Sequence, residues 1–191
     1  MLKKSISLLA AFSFHLAAAQ RQGPVVDLGY ARYKGSIDDV ANVTSFLGIR
    51  YAAAPIQDLR WRAPQPPPSS PGVQSATTPP PQCPQAFPNV TSPNAFPLPG
   101  NLTDTEDCLF LNVFVPRDRP INKKLPVIAW IHGGGYSLGN ASSYDGTTLI
   151  RESNDGVVVV SIQYRLGIFG FLSSTKHCVP GFPSLSSDTF V

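Results

Sequence analysis

Apolar and polar positions along this chain follow two patterns. In residues 127–132 and 157–164 the apolar side chains run on almost without interruption. Runs of that kind suit strands buried on both faces of a mostly parallel sheet, because a strand with one wet face would alternate instead. Residues 108–115 do alternate, and the pattern stops at Pro116. Between the two continuous runs, residues 145–154 can form a short crossover helix, closed by the turn residues Asn154-Asp155-Gly156. Strand, loop, helix, strand is the right-handed unit of an α/β fold, so the predicted class is α/β with a mixed, mostly parallel sheet.

The first third of the chain has shorter segments. Residues 25–28 and 30–33 read as short strands joined at Gly29, and residues 43–51 as a third strand interrupted by Gly48. Together they predict a small antiparallel sheet. Residues 64–99 are dense in proline, which lacks the N–H and fixes φ, so this stretch is neither a helix nor a central strand. It reads as a surface loop.

Composition narrows the function classes. With 42% hydrophobic and 14% charged residues the chain is globular, enough for one domain of ordinary size. The net charge is +3 and no basic stretch interleaves with aromatics, so nucleic-acid binding has no support. The start reads as a secretory signal: Lys3 and Lys4, a mostly apolar stretch over residues 6–16, then Ala17-Ala18-Ala19, with the cut placed after Ala19. The apolar stretch is too short for a membrane anchor, and no other segment is long and apolar enough to span a bilayer. A secreted, extracellular protein is expected.

Two further features fit secretion. Glycosylation sequons begin at Asn42, Asn89, Asn101 and Asn140. Cys83 and Cys108 can pair in an oxidising compartment and would clip the second part of the proline-rich loop. Closing a loop of that size stabilises by roughly 3–4 kcal/mol in the chain-entropy picture. Cys178 is left over, an unpaired thiol in a secreted chain.

The candidate chemistry sits at the end of the first continuous run, in His132-Gly133-Gly134-Gly135. A strand that ends in such a turn presents bare backbone at a sheet edge. Its amide N–H groups can then stabilise the oxyanion of an acyl-transfer intermediate. Four other stretches accompany it in order. They are residues 46–52 (FLGIRYA), 60–64 (RWRAP), 106–116 (EDCLFLNVFVP) and 164–172 (YRLGIFGFL). These five matches resemble the type-B carboxylesterase family, which includes cholinesterases and fungal lipases, and the resemblance covers about residues 25–174.

The resemblance implies an α/β-hydrolase fold, represented here by its N-terminal portion only: residues 20–174 after a signal at 1–19, followed by a tail at 175–191 that has no family likeness. Gly134 and Gly135 match the family glycines whose amides line the oxyanion hole, Cys83–Cys108 matches the first family disulfide, and Arg60 with Glu106 matches a structural salt bridge. The activity implied is ester hydrolysis at serine on a small-molecule or lipid ester in the full-length enzyme. No cofactor is implied, because N–H groups and a histidine handle the charge. Residues 164–172 match the family's next strand and turn and read as structural packing.

A nucleophile does not follow from the pattern. Gly135-Tyr136-Ser137-Leu138-Gly139 satisfies G-x-S-x-G, but a nucleophile elbow needs a helix at once after the serine, and Leu138-Gly139-Asn140 is a poor helix start. Ser137 also overlaps the very glycines that should face the nucleophile from another loop. Of the histidines, His15 lies in the signal, His132 leads the glycine turn, where relatives use it for loop structure, and His177 lies in the tail. The histidines and cysteines show no metal-ligand spacing. The expectation is an inactive chain carrying the oxyanion loop without the catalytic triad. The alternative is a non-catalytic, esterase-like extracellular binding protein. The final strand, residues 157–164, is expected to present an unpartnered edge.

Overall fold

The computed structural model describes residues 23–86, 104–117 and 124–172. The signal at 1–19, Asn89, Asn101, His15, His177, Cys178 and the tail at 175–191 lie outside the described residues.

Two sheets form. In the smaller one, β1 (Val25–Asp27) runs antiparallel to β2 (Arg32–Lys34), and β5 (Val73–Ser75) adds parallel to β2. The β1–β2 turn forms where expected: Gly29 takes φ +84° and donates to Asp27 Oδ1 at 2.8 Å. Among its described residues, the proline-rich stretch contributes one strand, the three-residue β5, at the sheet edge, as suits a segment poor in N–H donors.

The strand expected to complete that small sheet joins the other one instead. β4 (Val43–Arg50) sits between β3 (Ser36–Asp38) and β6 (Phe110–Pro116), antiparallel to both. Val43, Thr44, Phe46 and Ile49 of β4 are all buried, so this strand is covered on both faces and takes a central place. Gly48 does interrupt it. With φ +80° it marks a register shift between Phe46 and Ile49, and its N–H is satisfied by Asn112 Oδ1 at 2.9 Å.

The five-stranded sheet has the order β3-β4-β6-β8-β7, where β7 is Val127–Ile131 and β8 is Val158–Ile162. β7 and β8 are parallel, joined over the predicted helix, α1 (Thr147–Glu152). Asn154 (φ +54°) and Asp155 (φ +56°) turn the chain out of that helix in the left-handed conformation these side chains tolerate. Ile150 of α1 packs with Phe114 and Val159 against the sheet.

Three expectations need correction here. The unpartnered edge is β7, not the last strand. The crossover returns β8 inward, between β6 and β7, so the strand that comes earlier in sequence ends up outside. And β7 is not buried on both faces: all five of its residues are exposed, Val127 and Ile131 to 61% and 65%. Its continuous apolar run meets no covering helix or strand among the described residues, only the Tyr144 ring against Trp130 at 5.2 Å, whereas β8 buries alternate residues, Val159 and Ser161. Residues 164–172 also depart from a strand and turn, since Gly167–Phe171 is a short helix, α2. Among the described residues no helix is long and apolar enough to cross a membrane.

Candidate active site

The glycine turn begins one residue past β7. Gly134 and Gly135 take φ +125° and +62°, and Tyr136 follows at +61°. Gly134 is required twice over. Its φ is closed to side chains, and a Cβ there would lie 1.9 Å from the Leu138 carbonyl oxygen. That close approach arises because the Ser137 and Leu138 amides both fold back to the Gly134 oxygen, at 3.2 and 3.0 Å. The turn thus points the Gly134 carbonyl inward. The Gly134 and Gly135 amides donate to no other described residue, and both residues are exposed, with open space where a Gly135 Cβ would stand. The product is a pair of neighbouring N–H groups free to meet an oxyanion.

His132 lies beneath this turn. It is 3% exposed, and its Nδ1 lies 2.9 Å from the Gly133 carbonyl, which fixes Nδ1 as the protonated nitrogen. Its Nε2 is buried with no hydrogen-bond partner among the described residues. Burial pushes the imidazole pKa below its ordinary value, outweighing the Gly133 carbonyl, which favours the charged form. A neutral ring packed under the turn fits the expected structural role. The Tyr164 ring stacks on it at 4.4 Å, and the Tyr164 hydroxyl donates to the His132 carbonyl at 2.7 Å. Gly167, at the start of α2, donates to the Tyr136 carbonyl at 2.7 Å. Residues 164–172 therefore hold both the base and the tip of the turn, a more specific role than general packing.

Ser137 is not placed as a nucleophile. Its hydroxyl donates to Gly135 O at 3.2 Å, within its own turn, and no histidine or carboxylate among the described residues bonds to it. No helix follows at once: the next regular element is a single 3-10 turn at Ala141–Ser143, and α1 begins only at Thr147. Among the described residues no group of three histidines, cysteines or acids could hold a metal.

The flanking pairs sit as expected. Cys83 and Cys108 are bonded and buried, spanning 25 residues of sequence. Arg60 Nη2 donates to Glu106 Oε1 at 2.6 Å and Arg60 Nε pairs with Glu106 Oε2. The guanidinium also lies over the Trp61 and Phe169 rings, at 5.6 and 5.9 Å. A second fork that the sequence did not single out stands beside it. Arg50 makes two bonds to Asp107, at 2.6 and 2.8 Å, which raises the Arg50 pKa above its ordinary value. The two arginine–carboxylate pairs tie β4 and the segment after it to the residues just before Cys108.

One sequon is corrected. Asn140 is fully buried, its Nδ2 donates to Gln82 at 3.0 Å, and its Oδ1 accepts from Ser143 N at 2.9 Å. A glycan attaches through Nδ2, so the folded chain has neither the atom nor the space to offer. Asn42, between β3 and β4, is partly exposed at φ +56°.

Three glutamines that carried no motif also touch this region. Gln85 pairs with the Gly139 backbone, Gln82 with Asn140, and Gln163 accepts from the Ala141 amide at 3.3 Å. Tyr51 donates to the Gln163 carbonyl at 2.6 Å, and its burial pushes the phenol pKa up to about 12.

Comparison with known proteins places this geometry. The model of the carboxylesterase family matches residues 22–185, continuing past Ser174 where the sequence resemblance ends. Carboxylesterase 1F of Mus musculus is 43% identical over 159 residues, covering 79% of this chain and 28% of the relative. Neuroligin-2 of Mus musculus is 36% identical over 192 residues, covering 83% and 23%. Among solved structures, Aspergillus niger EstA is similar at TM-score 0.69 and 45% identity, covering 81% of this chain and 28% of that one. A thermophilic pNB esterase is similar at 0.68 and 36%, covering 80% and 30%. The chain spans less than a third of the length of these relatives.

Proposed function

The chain belongs to the carboxylesterase family and has a partial α/β-hydrolase fold, and on that premise we propose that it supplies the oxyanion loop of a secreted carboxylic-ester hydrolase acting by acyl transfer at serine. One observation carries the reading: the Gly134 and Gly135 amides donate to no other described residue and both glycines are exposed, on a turn closed by the Ser137 and Leu138 amides on the Gly134 oxygen. In acyl transfer a serine Oγ adds to the ester carbonyl, a histidine takes the hydroxyl proton, and the carbonyl oxygen becomes an oxyanion. Two fixed amides lower that barrier because they already point at the developing charge. Loss of one such donor typically slows an enzyme about 10²–10³-fold.

Ser137 and His132 form no nucleophile–base pair, so the reading assigns nucleophile, acid and base to the part of the relatives' length that this chain does not span. The substrate class is a small-molecule or lipid ester, with no dissociable cofactor. Residues 1–19 are kept as a signal peptide. The 191-residue chain by itself is expected to be inactive, since little beyond binding survives without nucleophile and base.

The test is twofold. Purified chain is offered a nitrophenyl ester: no turnover above buffer is expected, and turnover abolished by Ser137→Ala overturns the assignment. The transcript is then sequenced across the codons for Phe171 to Val191. A message that reads on into a Gly-x-Ser-x-Gly elbow and helix supports the hydrolase. A message that stops after Val191 favours the second reading, a non-catalytic extracellular binding protein, which draws on the likeness to neuroligin-2.

A further inference from the structure

The exit of the glycine turn is held by side-chain amides in an orderly way. Gly139, Asn140 and Ala141 are consecutive, and each is bonded by a different glutamine: Gln85, Gln82 and Gln163. Gln85 makes the most complete contact. Its Oε1 accepts from the Gly139 amide at 2.7 Å, and its Nε2 donates to the Gly139 carbonyl at 3.1 Å and to the Cys83 carbonyl at 2.7 Å. A primary amide facing a peptide in this way reproduces a backbone ladder rung, with one donor and one acceptor on each side. Next to it, the Ala86 amide donates to the Ser137 carbonyl at 2.8 Å.

Gly139 is where the turn closes on itself. At φ +105° it lies against the start of the turn, and a Cβ there would be 2.6 Å from His132 Nδ1 and 2.7 Å from the Gly133 oxygen. Fixing Gly139 therefore fixes the stem from which Gly134 and Gly135 project. The residue that fixes it is itself anchored. Gln85 follows the buried Cys83, which is bonded to Cys108, and Gln82 ties the same segment to Asp104 at 2.6 Å. The stem is thus bolted to a strip of chain that is itself cross-linked at Cys83.

We propose that Gln85 is a positioning residue for the oxyanion turn: its two-point bond to Gly139 sets the direction of the Gly134 and Gly135 amides. The proposal rests on the oxyanion reading of that turn. It assigns a purpose to the disulfide-bounded segment beyond loop closure, because Cys83 carries the residue that grips the turn. Glutamine is needed for its reach and for its paired donor and acceptor. Alanine removes both, while glutamate keeps the acceptor for the Gly139 amide and loses the donors.

The test is amide hydrogen exchange with residue-level mass spectrometry on the full chain, which reads monomeric and associated protein alike. The reporters are Gly139 and Leu138, whose amide closes the turn on Gly134 O at 3.0 Å. In Gln85→Ala both should exchange about tenfold faster or more, the effect of removing hydrogen bonds worth roughly 1 kcal/mol each, while the amides of β6 and β8 stay protected. In Gln85→Glu, Leu138 should keep its protection. Acceleration at Gly139 alone, or at neither residue, overturns the proposal, because Gln85 would then fasten only its neighbour. If alanine also releases β6 and β8, the glutamate variant decides: Leu138 protected upholds the proposal and Leu138 released overturns it. Exchange needs no catalysis, so a message that stops after Val191 would count against the hydrolase reading and leave the exchange result intact, while unchanged exchange at Leu138 would sink this proposal and leave the hydrolase reading standing.

Discussion

Tyr164 grips His132 at two points, stacking its ring on the imidazole at 4.4 Å and donating its hydroxyl to the His132 carbonyl at 2.7 Å. The residues are 32 apart in sequence and lie just past the ends of the two strands that form the parallel pair, His132 after β7 and Tyr164 after β8. Parallel pairing brings both C-terminal strand ends to the same side of the sheet, and the glycine turn grows out of that shared end. The two contacts separate experimentally. Tyr164→Phe keeps the stack and loses one part-buried hydrogen bond, an expected loss of about 1 kcal/mol. Tyr164→Ala loses the ring as well and should cost roughly 3 kcal/mol or more. Pulse proteolysis in urea measures both. Equal losses for the two variants would show that the ring contributes nothing.

His132 makes the chain sensitive to acid. Its pKa in the fold is lowered, chiefly by burial, so the unfolded chain binds the proton more tightly than the folded one. Stability on this account is fully present above the unfolded value of about 6.5 and is lost as pH falls from there toward the folded value. His132→Gln should flatten that part of the stability curve. An NMR titration of the His132 ring that returned a pKa at or above about 6.5 would contradict the desolvated site.

Much of this was legible in the sequence, and the failures have a common cause. The glycine turn, the Cys83–Cys108 bond and α1 were readable because each depends on residues with a narrow range of uses: glycine where φ is positive, cysteine, a helix closed by Asn-Asp-Gly; the Arg60–Glu106 pair came only with the family resemblance. The order of strands was less readable. The apolar run of β7 says that the strand belongs in a covered sheet, but not whether its partners are in the same chain. Gln82, Gln85 and Gln163 gave no signal at all. Gln82 and Gln85 sit in a proline-rich stretch and read as solvent-facing, Gln163 is a lone polar residue near the end of an apolar run, and only the fold reveals that Gln82 is 6% and Gln163 0% exposed. Amide side chains act by geometry with backbone, which leaves no periodicity to detect.

The exposed β7 predicts self-association. An edge strand with Val127, Ile128, Trp130 and Ile131 all exposed and no charge among its five residues has none of the features that normally block pairing with another chain. The chain should elute as oligomers or aggregate at micromolar concentration, and Ile131→Lys should shift it toward monomer by placing a charge on that edge. A wild-type chain that elutes as a monomer and unfolds cooperatively would mean that something outside the described residues covers the strand.

Glycosylation offers the sharpest check of the loop that follows the turn. Both Asn42 and Asn140 begin sequons, and the sequence ranks them equally. The fold does not, because Asn42 is partly exposed next to a strand end whereas Asn140 is sealed in, with Gln82 on one side and Ser143 on the other. Glycan transfer precedes folding, so an oligosaccharide at Asn140 would have to be excluded from a site that has no volume for it. Replacing the Nδ2–Gln82 bond and leaving Gln82 Oε1 unpaired in the interior would cost about 1–3 kcal/mol before any steric term. Glycopeptide mapping of secreted protein should therefore find sugar at Asn42 and none at Asn140. Asn42→Gln should remove one glycan and leave folding intact. Asn140→Gln should lower the secreted yield without changing the glycan mass, because the longer side chain cannot keep both of its partners. A glycan found on Asn140 in secreted, protease-resistant protein would refute the packing described for residues 139–143.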